Sequence, residues 1–381
     1  MEFLSQIPGL NLLGYLIPFL IVLTIVVFFH ELGHFLVARW NNVRVETFSI
    51  GFGPELFGFN DRKGTRWRLA AVPLGGYVKF FGDANAASTP DFEATSTMSE
   101  TERTESFVHK NVGQRAAVVA AGPIANFILA ILIFAATFMT LGRPVTDPLI
   151  ADVQPGGAAA LAGFEKGDII VSIDGQPIRN FADVPRIVAP NPGRELLFVV
   201  DRHGQQVSIP VTPQLEKRTD QFGNEQEIGF IGIVNDTEES NFRVEKMGPL
   251  QAIYAAFGET WYIIARTLGY LYDIVTGYQS ADQLGGPIRI AKVSGDVASL
   301  GPTALINLAA LLSVSIGLLN LFPIPMLDGG HLVYYAIEAI RGRPLSPNAQ
   351  EIGFRIGLAL VLMLMVFATW NDLTQIVFRS G

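Results

Sequence analysis

The chain has 381 residues, 49% of them hydrophobic and only 16% charged, against about 25% charged in an ordinary soluble protein. Its net charge of −8 excludes the basic face that nucleic acid demands, so no nucleic-acid partner is expected. It has no cysteine, which excludes thiol nucleophiles, disulfides and thiolate ligands together; any metal site has to use His, Asp or Glu.

Charge is missing from long stretches rather than thinned evenly. Four of these, about 12–38, 116–141, 304–339 and 352–370, reach the roughly 20 helical residues that cross a hydrocarbon core. The first has no positive leader, because the earliest basic residue is Arg39, so a retained span is expected rather than a signal peptide. Arg39, Arg44, Arg62, Lys63, Arg66 and Arg68 follow it, and Arg341, Arg343 and Arg355 lie between spans three and four. Positive charge marks the cytoplasmic side. Both termini and the segment 142–303 therefore fall outside.

The first cytoplasmic loop holds two strand-like pieces, 48–52 and 77–81. A Ser-, Thr- and acid-rich stretch at 84–106 reads as mobile. The segment 142–246 reads as one exterior α+β domain: runs at 169–173, 196–201 and 206–211 are separated by Asp174-Gly175 and His203-Gly204 turns, with a helix at 181–188. The rest, 247–303, reads as a linker preceded by an amphipathic helix at 248–277. Its apolar residues recur at three-and-four spacing, but Glu259, Arg266 and Asp273 interrupt them, so it is expected to lie on the membrane surface.

Near the end of the first span stands His30-Glu31-Leu32-Gly33-His34. Residues i and i+4 share a helix face, so both imidazoles can bind one zinc ion with Glu31 beside it as a base. Zinc polarises a carbonyl and acidifies a water at neutral pH. Three ionisable groups at about 2.5–3.5 kcal/mol each in a membrane helix call for such a compensating role. A catalytic zinc takes a third protein ligand, and Asp328 is the candidate. It follows Asn320, Pro323 and Pro325, and the two prolines have to break the third span there, which lipid tolerates only around a polar site. Imidazole and carboxylate also suit other divalent ions.

HELGH at 30–34 and NLFPIPMLDGG at 320–330 together resemble the site-2 protease family of intramembrane zinc metalloproteases. SIGFGP at 49–54, PLGGYVKF at 73–80, AGPIANF at 121–127 and LGGPIRIA at 284–291 extend the likeness over nearly the whole chain. The resemblance implies a polytopic α-helical membrane protein with four transmembrane helices, an inserted α+β PDZ domain and a small membrane-associated β element. It implies one zinc on His30, His34 and Asp328, with Glu31 catalytic. Substrate would be held by Asn320, with Pro323 and Pro325 beside it, and by Gly51, Gly53, Gly75, Gly76, Tyr77, Val78 and Lys79, whose loops pair with an extended peptide. The rival reading of those glycines is tight turns alone.

The exterior segment resembles a bacterial PDZ domain through Pro155–Ala160 and Gly163–Asp168, with room for one such module rather than two. The implied location is the bacterial inner membrane, in contact with the lipid bilayer. The implied partners are single-span membrane substrates, such as anti-sigma factors or leftover signal peptides, and peptide ends or regulatory proteins at the PDZ domain. A non-proteolytic scaffold is the alternative, against which Glu31 stands; a metal transporter ranks below both. His331 is expected in a supporting role, His109 and His203 in solvent, and Gly353 with Gly357 as a helix-packing pair.

Overall fold

The computed structural model describes residues 10–83, 97–219, 225–235, 242–278, 281 and 285–379. The chain separates into two units, one of Met1–Ala135 with Ile253–Gly381, the other of Ala136–Ala252. Among the described residues, four helices are long and apolar enough to cross a membrane: Leu13–Trp40, Val112–Thr140, Pro302–Asn320 and Pro347–Thr374.

In the first unit the helix backbones touch through small residues. A Cβ on Gly33 would collide with the Ala121 carbonyl oxygen, and one on Gly317 would stand 3.1 Å from the Pro123 carbonyl oxygen. Val22 and Val26 of the first helix bury against Ala309 of the helix Pro302–Asn320. Gly353 and Gly357 form the expected packing pair. Gly353 leaves room for the Tyr334 hydroxyl and Gly357 for the Pro325 carbonyl. The last helix, Pro347–Arg379, thereby seats against the broken segment before Asp328.

The third span is shorter than expected. Its helix stops at Asn320, and a separate helix, Asp328–Arg341, begins after a seven-residue break. Pro323 and Pro325 lack the N–H that a continuous helix would need. The break satisfies itself locally: Ile324 N–H donates to Phe322 O, Leu327 N–H to Ile324 O, and Gly330 N–H to Leu327 O. Met326 adopts a positive φ of 90° there.

The two strand-like pieces after the first span are longer than the sequence indicated, forming the strands Val45–Asn60 and Arg66–Phe80. Thr47–Ile50 is flanked by Gly76–Lys79 on one side and by Arg66–Leu69 on the other, while Phe57–Asn60 pairs with Arg66–Leu69. Each strand is therefore bent back on itself, with the register shifting around Gly51 and Gly53. Phe48 is fully buried and touches the rings of Phe28 and Phe35, which seats the sheet on the first helix.

Part of the stretch expected to be mobile is ordered. Residues 84–96 lie outside the described residues, but Glu100–Glu105 is a helix with a capping box between Ser99 and Glu102. The expected linker also holds a helix, Pro287–Ser299. Its first turn is capped from the last helix, where Asp372 accepts from Gly286 N–H at 2.8 Å and Arg289 N–H at 3.0 Å.

The second unit is built on a four-stranded sheet in the order Gln176–Pro177, Ile169–Ile173, Leu196–Arg202, Gln205–Val211. Along Leu196–Arg202 burial alternates, and Leu196, Phe198 and Val200 enter the core with Ile170, Ile173 and Ile209. Asp174-Gly175 and His203-Gly204 both adopt positive φ at both positions, the geometry of tight hairpin turns that match strand twist. The helix here is Asp183–Val188, two residues shorter at its start than expected. Asp168 is 1% exposed, and Arg202 grips it with two nitrogens at 2.7 and 2.8 Å.

Candidate metal centre

His30 and His34 lie one turn apart on the first helix, with ring centroids 4.8 Å apart and planes at 85°. Both are 9% exposed. Asp328, the first residue of its helix, reaches them from the third segment: its Oδ2 stands 3.1 Å from His30 Nε2 and 3.5 Å from His34 Nε2. The two Nε2 atoms are 3.2 Å apart. Among the described residues, these three form the only His/Cys/Asp/Glu group close enough to share a metal ion.

Their geometry fits a zinc ion. Donors about 2.0 Å from a tetrahedral zinc sit about 3.3 Å from one another, close to the three separations above. Asp328 Oδ2 is buried with no hydrogen-bond partner, a costly state for a carboxylate oxygen unless a cation faces it. The second membrane-length helix, Val112–Thr140, completes the cradle. A Cβ on Gly122 would collide with His34 Nε2 and stand 2.9 Å from His30 Cε1, so only glycine keeps the ligating face clear.

The imidazoles are oriented from behind. His34 Nδ1 lies 2.9 Å from Val118 O; a carbonyl only accepts, so the ring proton is on Nδ1 and the Nε2 lone pair is free for the metal. His30 Nδ1 lies 3.3 Å from the Asn126 side chain. The sequence shows AGPIANF as a motif but assigns Val118, Gly122 and Asn126 no role. Backbone carbonyls carry no residue signal, and a glycine in an apolar helix reads as packing.

Glu31 is half-buried beside His30 and meets the bent sheet. A Cβ on Gly76 would lie 3.0 Å from Glu31 Cγ and 2.8 Å from Ser49 O, so the part of the strand from Gly76 onward runs past the Glu31 side chain. Among the described residues, Gly76–Phe80 pairs only with Val45–Ile50 and forms one edge of the sheet. Gly51, Gly53 and Gly75 have φ of 86°, 86° and 150°. They lie at the bends within the strands and not at the hairpin turn, which falls at 61–65. Tyr77 stacks on Phe52, Val78 is buried, and Lys79 pairs with Glu46 at 2.9 Å. Asn320 ends its helix half-buried, and Pro323 and Pro325 occupy the break between it and Asp328. His331 remains outside the metal group and packs edge-on to Tyr334. His109 and His203 are exposed.

Two imidazoles and a carboxylate converging between membrane-length helices define a membrane-spanning metalloenzyme. The model of peptidase family M50 matches residues 18–364, and the chain belongs to this family of site-2 proteases, as a zinc metalloprotease. It is 54% identical over 366 residues to a protein of Agrobacterium fabrum provisionally named a zinc metalloprotease, covering 96% of this chain and 97% of that one. It is 42% identical over 382 residues to the metalloprotease MmpA of Caulobacter vibrioides, covering 94% and 95%. To the regulator of sigma-E protease RseP of Escherichia coli it is 32% identical over 464 residues, covering 96% and 100%. That last comparison runs 98 positions longer than the first over the same share of this chain, so the Escherichia coli protein carries in total about that many residues with no counterpart here.

Proposed function

We propose that the chain hydrolyses a peptide bond within or near the transmembrane segment of single-span membrane proteins. The observation that carries the reading is the convergence of His30, His34 and Asp328 within 4.8 Å of one another, between helices of membrane length. His30, His34 and Asp328 hold zinc, which when bound supplies a Lewis acid that polarises the scissile carbonyl and acidifies water. Glu31 takes the proton from the attacking water and returns it to the leaving amine.

A helical peptide bond is shielded by its own hydrogen bonds, so the substrate has to be extended before attack. The edge Gly76–Phe80 offers replacement backbone partners beside Glu31, in the manner of an added strand. Gly51, Gly53 and Gly75 bend the sheet so that this edge reaches the site. Asn320 holds the substrate backbone from the opposite side of the break, which Pro323 and Pro325 keep open.

The Ala136–Ala252 unit acts as a single PDZ module on the periplasmic side of a bacterial inner membrane, taking extended peptide ends. Helix Pro249–Thr276 lies on the membrane surface. Its Ala252, Ala256, Thr260 and Ile263 are buried on one face, while Tyr254, Phe257, Trp261 and Tyr272 are exposed on the other. Both termini share the periplasmic side.

The deciding experiment compares wild type with Glu31→Gln on a purified single-span substrate, alongside elemental analysis. Cleavage is expected to vanish while zinc stays near one per chain. Wild-type cleavage by Glu31→Gln would end the assignment.

A further inference from the structure

The second helix contributes a side chain whose chemistry the zinc ligands do not account for. Asn126 is fully buried in an apolar helix, and its amide meets His30 Nδ1, the ring nitrogen turned away from Asp328, at 3.3 Å. With the amide nitrogen facing the ring, Asn126 Oδ1 is left buried without a hydrogen-bond partner. An orphaned buried acceptor costs about 1–3 kcal/mol, so its persistence calls for a use. The backbone around it is pinned: Ser313 of the third helix donates to Asn126 O at 2.8 Å, and Gly317 lets the two helices close on its Cβ.

The two histidines therefore differ in what stands behind them. His34 has a carbonyl, a fixed acceptor. His30 has a carboxamide, which presents a donor or an acceptor according to a half-turn about its Cβ–Cγ bond. A histidine that gives Nε2 to a metal carries its ring proton on Nδ1 and needs an acceptor there. We infer that Asn126 is a positioning residue of the metal centre. Its Oδ1 accepts from His30 Nδ1–H, which fixes the ring's tautomer and aim and raises its grip on zinc. This deepens the metal-ligand reading of His30 and rests on it.

The test reads zinc, not proteolysis. The full chain is purified in detergent as wild type, Asn126→Leu, Asn126→Asp and His30→Ala. Zinc affinity is measured by chelator competition, and thermal unfolding is followed for each. Leu fills the same volume without an acceptor, and zinc affinity is expected to fall roughly 10- to 100-fold. Asp keeps an acceptor and is expected to hold zinc at least as tightly as wild type. That rescue is something a merely space-filling role would not produce. If Leu proves too unstable to purify, Asn126→Ala gives the same comparison, since it also removes the acceptor. Wild-type affinity in the Leu or Ala variant overturns the inference, as does equal loss in Asp and Leu at matched unfolding temperatures. Undiminished affinity in His30→Ala overturns the ligand reading beneath it. If zinc-loaded wild type cleaves no single-span substrate while these affinities come out as expected, the inference stands and the proteolytic reading alone fails.

Discussion

Gly122 lies against the ligating face of His34 so closely that a single added carbon would occupy the place of its Nε2 neighbourhood. The colliding atoms are the imidazoles themselves, and the two helices cannot part to spare them without losing the close approach of Gly33 on the first to the Ala121 backbone on the second. Gly122→Ala is expected to reduce bound zinc to well below one per chain, with proteolysis lost in parallel. Gly258→Ala, with open space around it, is the control that should keep both. Elemental analysis of the two purified variants decides the matter.

Asp328 supplies the one ligand from the far half of the chain. Asp328→Ala should lose zinc as well as cleavage, unlike Glu31→Gln, which loses cleavage alone. Stoichiometric zinc in Asp328→Ala would return this carboxylate to a structural role.

The two small residues of the last helix should differ in importance. Gly353 faces the end of a Tyr334 side chain, which can swing aside, whereas Gly357 faces the Pro325 backbone. Gly353→Ala is expected to cost little. Gly357→Val has to push the break away and with it Asp328, so zinc content and cleavage should both drop. Equal behaviour of the two variants would mean that the last helix does not hold the break in place.

Asp168 and Arg202 make a stability prediction outside the membrane segments. Burial pushes the Asp168 carboxyl up, but the Arg202 hydrogen bonds, the Glu165 N–H and the Arg202 charge outweigh it and leave it below its ordinary value of 3.8. A carboxylate with a lowered folded pKa contributes stability that is complete above the unfolded value and lost as pH falls through the folded one. Arg202→Met should weaken this unit at neutral pH by on the order of 2–3 kcal/mol. The gap should close only below the ordinary carboxylate range. Hydrogen exchange of the Ile169–Ile173 amides in the full chain measures it, and a gap that widened in acid would contradict the assignment.

Sequence showed most clearly what obeys a short period or a chemical oddity. His30 and His34 share a face because four residues make about one helical turn, and two prolines ahead of an aspartate announce a broken span. The bent sheet was only half visible. Glycine and proline at 51–54 and 73–76 cut its alternation into short pieces, although the chain uses those same residues to bend without leaving the strand. The helix Glu100–Glu105 hid behind a composition typical of loops, yet Ser99 and Glu102 carry the spacing of a capping box. Pro287 after two glycines similarly marked a helix start within a stretch too polar to stand out. Asn126 could not be read, because its partner lies 96 positions away and only folding pairs them.

The cap that Asp372 places on the helix Pro287–Ser299 bears on how the protein is handled. A stop codon after Trp370 would strip two amide hydrogens of their acceptor some eighty residues upstream. Truncated versions should therefore be designed to retain Asp372, and affinity tags joined beyond it through a flexible spacer, so that purification does not loosen a helix packed against the first span.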